Sequence, residues 1–125
     1  MNKPLSEVLF DPAKWTQGEF ARDIHDKRIS PSSSLAYCYC LLGALAVSLN
    51  CDVDTINDTP YKCKREEKTL LLTVIKQLVA DGKTSHPSKR AFHSIEAFND
   101  HPHTTFEDIK KVAAEYDSNM QCSNS

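Results

Sequence analysis

Glycine is scarce in this chain, and its scarcity excludes the glycine-rich loops that bind nucleotides. The 125 residues contain three glycines, Gly18, Gly43 and Gly82. They lie too far apart to form a P-loop or a dinucleotide-binding fingerprint. A Gly-x-Ser-x-Gly elbow and a His-Glu-x-x-His helix are also absent from the sequence. The chain therefore offers none of these familiar catalytic or phosphate-binding signatures.

A long hydrophobic run and an excess of positive charge are lacking too. The apolar stretch from Leu35 to Leu49 is shorter than the ~18–20 residues that a bilayer span requires. The chain has 15 basic and 17 acidic side chains, and its formal net charge is -2. Because a domain that binds nucleic acid usually carries a strong basic patch, we expect neither a nucleic acid nor a membrane as partner.

The cysteines and the N-terminal residues bear on the cellular compartment. Five cysteines is an odd number, and their spacing fits no disulfide framework. Met1 to Pro4 open a mixed polar sequence without the apolar segment of a secretory signal. We therefore predict a cytoplasmic protein with reduced thiols and without a bound cofactor.

Hydrophobic patterning predicts a mainly α fold, a compact domain of four to five helices around a buried central helix. That helix is expected at Leu35–Asn50, because the serines at 32–34 would cap a segment without charged side chains. A glycine within a helix is unfavourable by about 1 kcal/mol relative to alanine. We therefore expect Gly43 to mark a point where a neighbouring element approaches the helix closely.

The other elements are predicted on both sides of the central helix. One small N-terminal β-hairpin is expected at Glu19–Ile24 and Lys27–Ser30. Further helices are expected at 5–10, 67–81, 89–99 and 105–116, and a surface loop at 51–64. Residues 1–117 would form a single domain, followed by a flexible tail at 118–125.

Three short motifs carry a resemblance to a known family. They are Trp15-Thr16-Gln17-Gly18, Cys40-Leu41-Leu42-Gly43-Ala44 and Phe98-Asn99-Asp100. In this order they resemble a family of small uncharacterised proteins of actinobacteria and bacteriophages, a domain of unknown function. The resemblance covers about Leu5 to Tyr116 and implies a bacterial or phage origin. It implies no activity.

The leading functional hypothesis is a small non-catalytic binding protein, encoded by a phage and acting on a host protein or a small ligand. Tryptophan offers a flat apolar face, and glutamine offers an amide that both donates and accepts hydrogen bonds. The candidate ligand-binding residues are Trp15, Gln17, Arg22, Asp23, Asn99 and Asp100. A structural alternative stays open, in which Trp15 fills the core while Gln17 and Asn99 bind backbone groups at the ends of elements.

The alternative function is a cysteine-dependent hydrolase or transferase. Cys40 would be the nucleophile, His93 the base and Asn99 the residue that orients the base. A nearby imidazole can hold a thiol as the reactive thiolate. His101 and His103 are further candidates for the base.

Zinc ligands of the right type occur in Cys38-x-Cys40 and His101-x-His103. Residues two apart on a helix point about 200° away from each other, however. Two cysteines of the predicted central helix would therefore not reach one ion, and we predict no metal site.

Overall fold

The computed structural model describes residues 3–51, 62–87 and 91–123. It confirms the mainly α fold class, because the described residues form five α-helices and one small antiparallel sheet. In chain order the elements are α1 (Leu5–Val8), β1 (Ala21–Arg22), β2 (Cys38–Tyr39), α2 (Leu41–Ser48), α3 (Lys62–Ala80), α4 (Ile95–Asp100) and α5 (Phe106–Ser123). A single 3₁₀ turn at Pro12–Lys14 lies between α1 and β1.

Helix α2 is buried on all sides, as expected for the central helix. Leu41, Leu42 and Leu45 are completely buried, and α2 packs mainly against α1 and α4. Helices α3 and α5 pack against each other, and α5 also packs against α1. Side chains from all five helices join one apolar core. No helix in the described ranges is long and apolar enough to cross a membrane.

The predicted start of the central helix at Leu35 is wrong, because α2 begins six residues later, at Leu41. Residues 38–39 instead form β2, which pairs with β1. The serines before them do not cap a helix: Ser33 Oγ accepts a hydrogen bond from the backbone N–H of Leu35 at 3.1 Å. Such local bonds offer the backbone a turn in place of a helix, and they leave Leu35 69% exposed.

Two side chains instead determine where α2 begins. Cys40 is in an extended conformation, and its Sγ accepts a hydrogen bond from the N–H of Gly43 at 3.3 Å. The N–H of Leu41 donates to Oδ1 of the distant Asn99 at 3.0 Å. Both bonds satisfy N–H groups that have no partner within the first turn of a helix.

The expected close approach at Gly43 is present. A Cβ atom at this position would lie 2.0 Å from the carbonyl oxygen of Phe20. That carbonyl accepts a hydrogen bond from the N–H of Cys40 at 3.1 Å. The absent side chain therefore lets the segment before β1 lie directly against α2.

The predicted hairpin forms only in part. The chain reverses between Asp23 and Lys27, whose backbone groups are joined by a hydrogen bond of 2.9 Å. A single bridge joins Arg22 and Arg28, but the regular partner of β1 is β2. The sheet therefore includes residues that were assigned to the central helix.

The remaining helices differ from the predictions at their ends. Helix α3 begins at Lys62, before the predicted residue 67. Helix α4 begins at Ile95 because the hydroxyl of Ser94 caps it by accepting from the N–H of Ala97 at 3.0 Å. Helix α5 continues through residues 118–123, so the flexibility of the predicted tail stays a prediction. Most of the predicted loop at 51–64 lies outside the described residues.

Candidate functional site

The first and third sequence motifs meet beside the start of α2. Trp15, Gln17 and Gly18 follow the 3₁₀ turn, while Asn99 and Asp100 end α4. We refer to these five residues as the Asn99 junction. Hydrogen bonds between the two groups span more than 80 positions of the sequence. The junction therefore joins distant parts of the chain.

Asn99 is 1% exposed, and its carboxamide forms four hydrogen bonds. Its Oδ1 accepts from the indole N–H of Trp15 at 2.7 Å and from the N–H of Leu41. Its Nδ2 donates to the carbonyl of Thr16 at 3.1 Å and to Oδ1 of Asp100 at 2.9 Å. An asparagine side chain has two N–H donors and two acceptor lone pairs. All four positions are occupied within the protein.

Gln17 and Gly18 complete the junction. The Nε2 of Gln17 donates to the carbonyl oxygens of Asn99 at 2.9 Å and His101 at 3.1 Å. The N–H of Gly18 donates to Oδ1 of Asp100 at 2.8 Å. These bonds favour the structural interpretation of the motif residues, since they tie backbone groups at the ends of elements. A ligand-binding role for them stays a prediction.

Arg22 and Asp23 lie outside the junction and serve the neighbouring chain reversal. The Nε of Arg22 donates to Oγ1 of Thr16 at 3.0 Å. Asp23 Oδ1 accepts from the backbone N–H groups of His25 at 2.8 Å and Lys27 at 3.0 Å. The bond from Lys27 is the largest cause that lowers the pKa of Asp23 below its usual value. The Nη2 of Arg22 also donates to the carbonyl of Gln17 at 3.2 Å, so Arg22 contacts the junction, whereas Asp23 bonds within the chain reversal.

A pocket of about 150 Å³ opens beside the junction. A volume of this order can hold a benzene-sized group. Acidic side chains, small backbone groups, one aromatic ring and a thiol form its walls, namely Gly18, Glu19, Phe20, Cys40, Glu96, Asn99 and Asp100. We refer to this space as the acidic pocket, because three of its lining residues are acidic and none of them is basic.

One carboxylate oxygen of Glu96, which lines this pocket, lacks a hydrogen bond among the described residues. This oxygen is Oε1, and it is buried. Glu96 is not among the predicted site residues, although the sequence holds a signal for it. Glu96, Asn99 and Asp100 are spaced i, i+3 and i+4, which places their side chains on one face of a helix.

Cys40 lies in the wall of the acidic pocket and is 5% exposed. Burial is the main cause that raises the pKa of its thiol to about 11, and the carboxylates of Asp100 and Glu96 also raise it. The hydrogen bonds from Gly43 and Leu42 act in the opposite direction. The thiol is therefore protonated at neutral pH, whereas a nucleophilic cysteine reacts as the thiolate.

Among the described residues, the candidate bases form no hydrogen bond with this thiol. His93 is exposed in the segment before α4, and no hydrogen bond joins it to Cys40 among the described residues. His101 instead contacts His86 and His103 through its ring. Within the described ranges, no group of three or more His, Cys, Asp or Glu residues could hold a metal ion.

A second concave surface lies at the chain reversal. This groove of about 390 Å³ is lined by Asp23, Ile24, His25, Ser34, Leu35, Ala36 and Tyr37. Ile24 is 71% exposed and Leu35 is 69% exposed. This surface is not predicted from the sequence, because Leu35 is expected there in a buried helix. We refer to it as the hairpin groove.

Comparison with known proteins gives the chain a family. The sequence model of DUF6197, a family of unknown function, matches residues 5–115 of the 125. The chain therefore belongs to this family. No curated protein and no solved structure matches it. Membership of a family without an assigned activity is confirmed, whereas the actinobacterial or phage origin and the three motifs stay predictions.

Proposed function

Starting from this membership, we propose that the chain is a small non-catalytic binding protein that holds a cationic group in the acidic pocket. One observation carries the proposal: Glu19, Glu96 and Asp100 line a concave space whose described walls carry no positive charge. Acidic residues around one space favour an opposite charge between them. A bound cation would supply that charge.

An organic cation suits the pocket better than a metal ion. Metal ions need ligand atoms that converge at about 2.0–2.6 Å, and no group of described side chains meets that requirement. A guanidinium group spreads five N–H donors over a plane and bonds strongly to carboxylates. Phe20 and Cys40 add apolar surface for the carbon atoms attached to such a group.

The buried oxygen of Glu96 gives this cation a specific partner. A buried polar atom without a hydrogen bond is unfavourable by about 1–3 kcal/mol. A donor that enters the pocket and reaches Oε1 would remove that cost. Binding would therefore depend on Glu96 more than on the other carboxylates of the wall.

The test is a titration with ethylguanidinium, followed by NMR at the backbone N–H of Gly18, which lies in the pocket wall. We expect saturable shifts of this signal, with ethylurea as a neutral ligand of the same shape that produces none. Glu96→Gln keeps the shape of the side chain and removes its charge. It should weaken binding about tenfold, since a hydrogen bond to a charged group contributes about 1.5–3 kcal/mol.

Glu115→Gln is the matched control, because Glu115 is exposed on α5 and does not line the pocket. It should leave the affinity unchanged. Equal binding of ethylurea, or equal affinity of the Glu96→Gln variant, would contradict the proposal. A Gly-Arg-Gly peptide distinguishes the sources of the cation. Tighter binding of the peptide points to a partner protein, and weaker binding points to a free small ligand.

The cysteine-dependent alternative receives less support. A thiol with a pKa of about 11 that lies among carboxylates has little thiolate at neutral pH. The negative pocket would also repel the phosphates of a nucleic acid. We therefore retain the binding hypothesis, with a host protein or small ligand as partner, a phage origin and a cytoplasmic location as its further parts.

A further inference from the structure

The acidic pocket has one aromatic residue in its wall. Three parts of the chain line the pocket: the segment before β1 supplies Glu19 and Phe20, α4 supplies Glu96 and Asp100, and Cys40 directly precedes α2. Phe20 is 37% exposed, whereas Cys40 is 5% exposed. Acidic and apolar side chains therefore border the same small space of about 150 Å³.

The backbone of Phe20 is held in place from both sides. Its carbonyl accepts a hydrogen bond from the N–H of Cys40 at 3.1 Å. A Cβ atom at Gly43 would overlap this carbonyl, so the main chain of Phe20 lies directly against α2. The next residue, Ala21, pairs with Tyr39 in the sheet. The ring is thus attached to a fixed part of the chain, and a surface that is fixed before binding loses little freedom when a ligand arrives.

Phe20 and Tyr37 are equally exposed, but they differ in what lies over their rings. Each residue is 37% exposed. The Nζ of Lys14 lies 3.8 Å from the centroid of the Tyr37 ring, which is the geometry of a cation–π contact. Over residues 3–51, 62–87 and 91–123, no cationic side chain lies over the ring of Phe20. Phe20 therefore has exposed surface that a cation in the pocket can cover.

We infer that the acidic pocket binds planar, delocalised cations in preference to alkylammonium ions, and that Phe20 is the residue that determines this specificity. The inference rests on the proposed function, because it concerns the same pocket. A guanidinium has N–H donors around its edge and flat, weakly hydrated faces. Carboxylates can accept from the edge while an aromatic ring covers one face. This distribution of charge matches a space that is bordered by acidic and apolar side chains together.

An alkylammonium ion fits these surroundings less well. Its charge is compact and strongly hydrated, so contact with the ring of Phe20 would displace water that binds the ion tightly. Its attraction to the pocket then depends on the carboxylates alone. We expect a guanidinium to bind about tenfold more tightly than an alkylammonium of the same chain length, which is within the range of a desolvated cation–π contact.

The test compares ethylguanidinium with butylammonium, whose chain has the same length, by NMR titration at the backbone N–H of Gly18 in the pocket wall. Phe20→Leu keeps an apolar side chain and removes the aromatic face. It should weaken the binding of ethylguanidinium about fivefold and leave that of butylammonium unchanged, so that the preference falls to about twofold. Phe10→Leu is the matched control, because Phe10 is 66% exposed and does not line the pocket. This variant should keep the full preference.

Nuclear Overhauser effects provide a second measurement that needs no variant. We expect them between the ring protons of Phe20 and the ethyl protons of bound ethylguanidinium. Equal affinities of the two cations, or an unchanged preference in Phe20→Leu, would overturn the inference and leave the proposed function standing. Absence of binding by both cations would overturn both. If Phe20→Leu does not fold, bound ethylguanidinium without a nuclear Overhauser effect to Phe20 would overturn the inference in the unmodified protein.

Discussion

The Asn99 junction and the hairpin groove use their residues in opposite ways. At the junction, the polar groups of Trp15, Gln17 and Asn99 bond to one another or to the backbone. At the groove, Ile24 and Leu35 expose apolar side chains to solvent. The residue types alone suggest the reverse, with the polar motif facing a ligand and the leucine in the core. The chemistry of a side chain therefore does not by itself show whether that side chain is exposed to a ligand or bonded within the protein.

The comparison also shows which side chains near the junction could contact a ligand. The acidic pocket borders the junction, and its distinctive groups are Glu19, Glu96 and the thiol of Cys40. Asn99 lines the pocket, but its carboxamide already makes four hydrogen bonds within the chain and has no donor or acceptor left for a ligand. The junction thus holds the pocket in place, while neighbouring residues determine its charge.

Of the changes at Asn99, Gly43 and Leu35, replacing Asn99 should have the largest effect on stability. Asn99→Ala removes four hydrogen bonds and leaves the N–H of Leu41 without its partner. Buried groups that lose their partners are unfavourable by about 1–3 kcal/mol each. We expect the free energy of unfolding to fall by about 4 kcal/mol in urea denaturation.

Gln77→Ala is the control, because Gln77 is exposed on α3 and its side-chain amide donates to Oδ1 of Asp81 at 2.9 Å. This change should alter the free energy of unfolding by about 0.5 kcal/mol or less. Similar losses for the two variants would mean that the junction contributes no more to stability than an ordinary surface contact.

A methyl group at Gly43 should have the next largest effect. In Gly43→Ala the new Cβ would overlap the carbonyl oxygen of Phe20, a backbone atom that cannot turn away. We expect a loss of about 3 kcal/mol in the same measurement, at the upper end of overpacking effects. Gly82→Ala provides the comparison, since φ there is +70° and no atom lies within 4 Å. It should cost about 1 kcal/mol.

An element whose signal is local can be predicted from the sequence. The apolar stripe of α3 recurs within one segment, and Leu71, Ile75 and Val79 are buried as it requires. The prediction is wrong at residues 35–40, where an uncharged run is compatible with either a helix or a strand. What decides between them is β1, whose Ala21 pairs with Tyr39. The two paired residues are 18 positions apart, so the sequence around residues 35–40 does not show the pairing.

The same limit applies to the candidate site. Asn99 and Trp15 are both predicted site residues, but the bond between them crosses 84 positions and cannot be predicted from the sequence. For the same reason, the start of α2 cannot be assigned to Asn99 from the sequence. Glu96 was accessible from the sequence, because helical spacing relates it to Asn99. The pocket itself depends on which turns bring Gly18 and Phe20 beside α4.

The smallest effect is expected at the hairpin groove, where Leu35 can be compared with Leu45 by the same substitution. The original prediction placed both leucines in one buried helix, but Leu35 is 69% exposed and Leu45 is completely buried. Leu45→Ala should lower the free energy of unfolding by about 2–5 kcal/mol, and Leu35→Ala by about 0.5 kcal/mol or less. Urea denaturation of the two variants measures the difference directly. Equal losses of stability would mean that Leu35 is buried like Leu45, and the hairpin groove would then not be an exposed apolar surface.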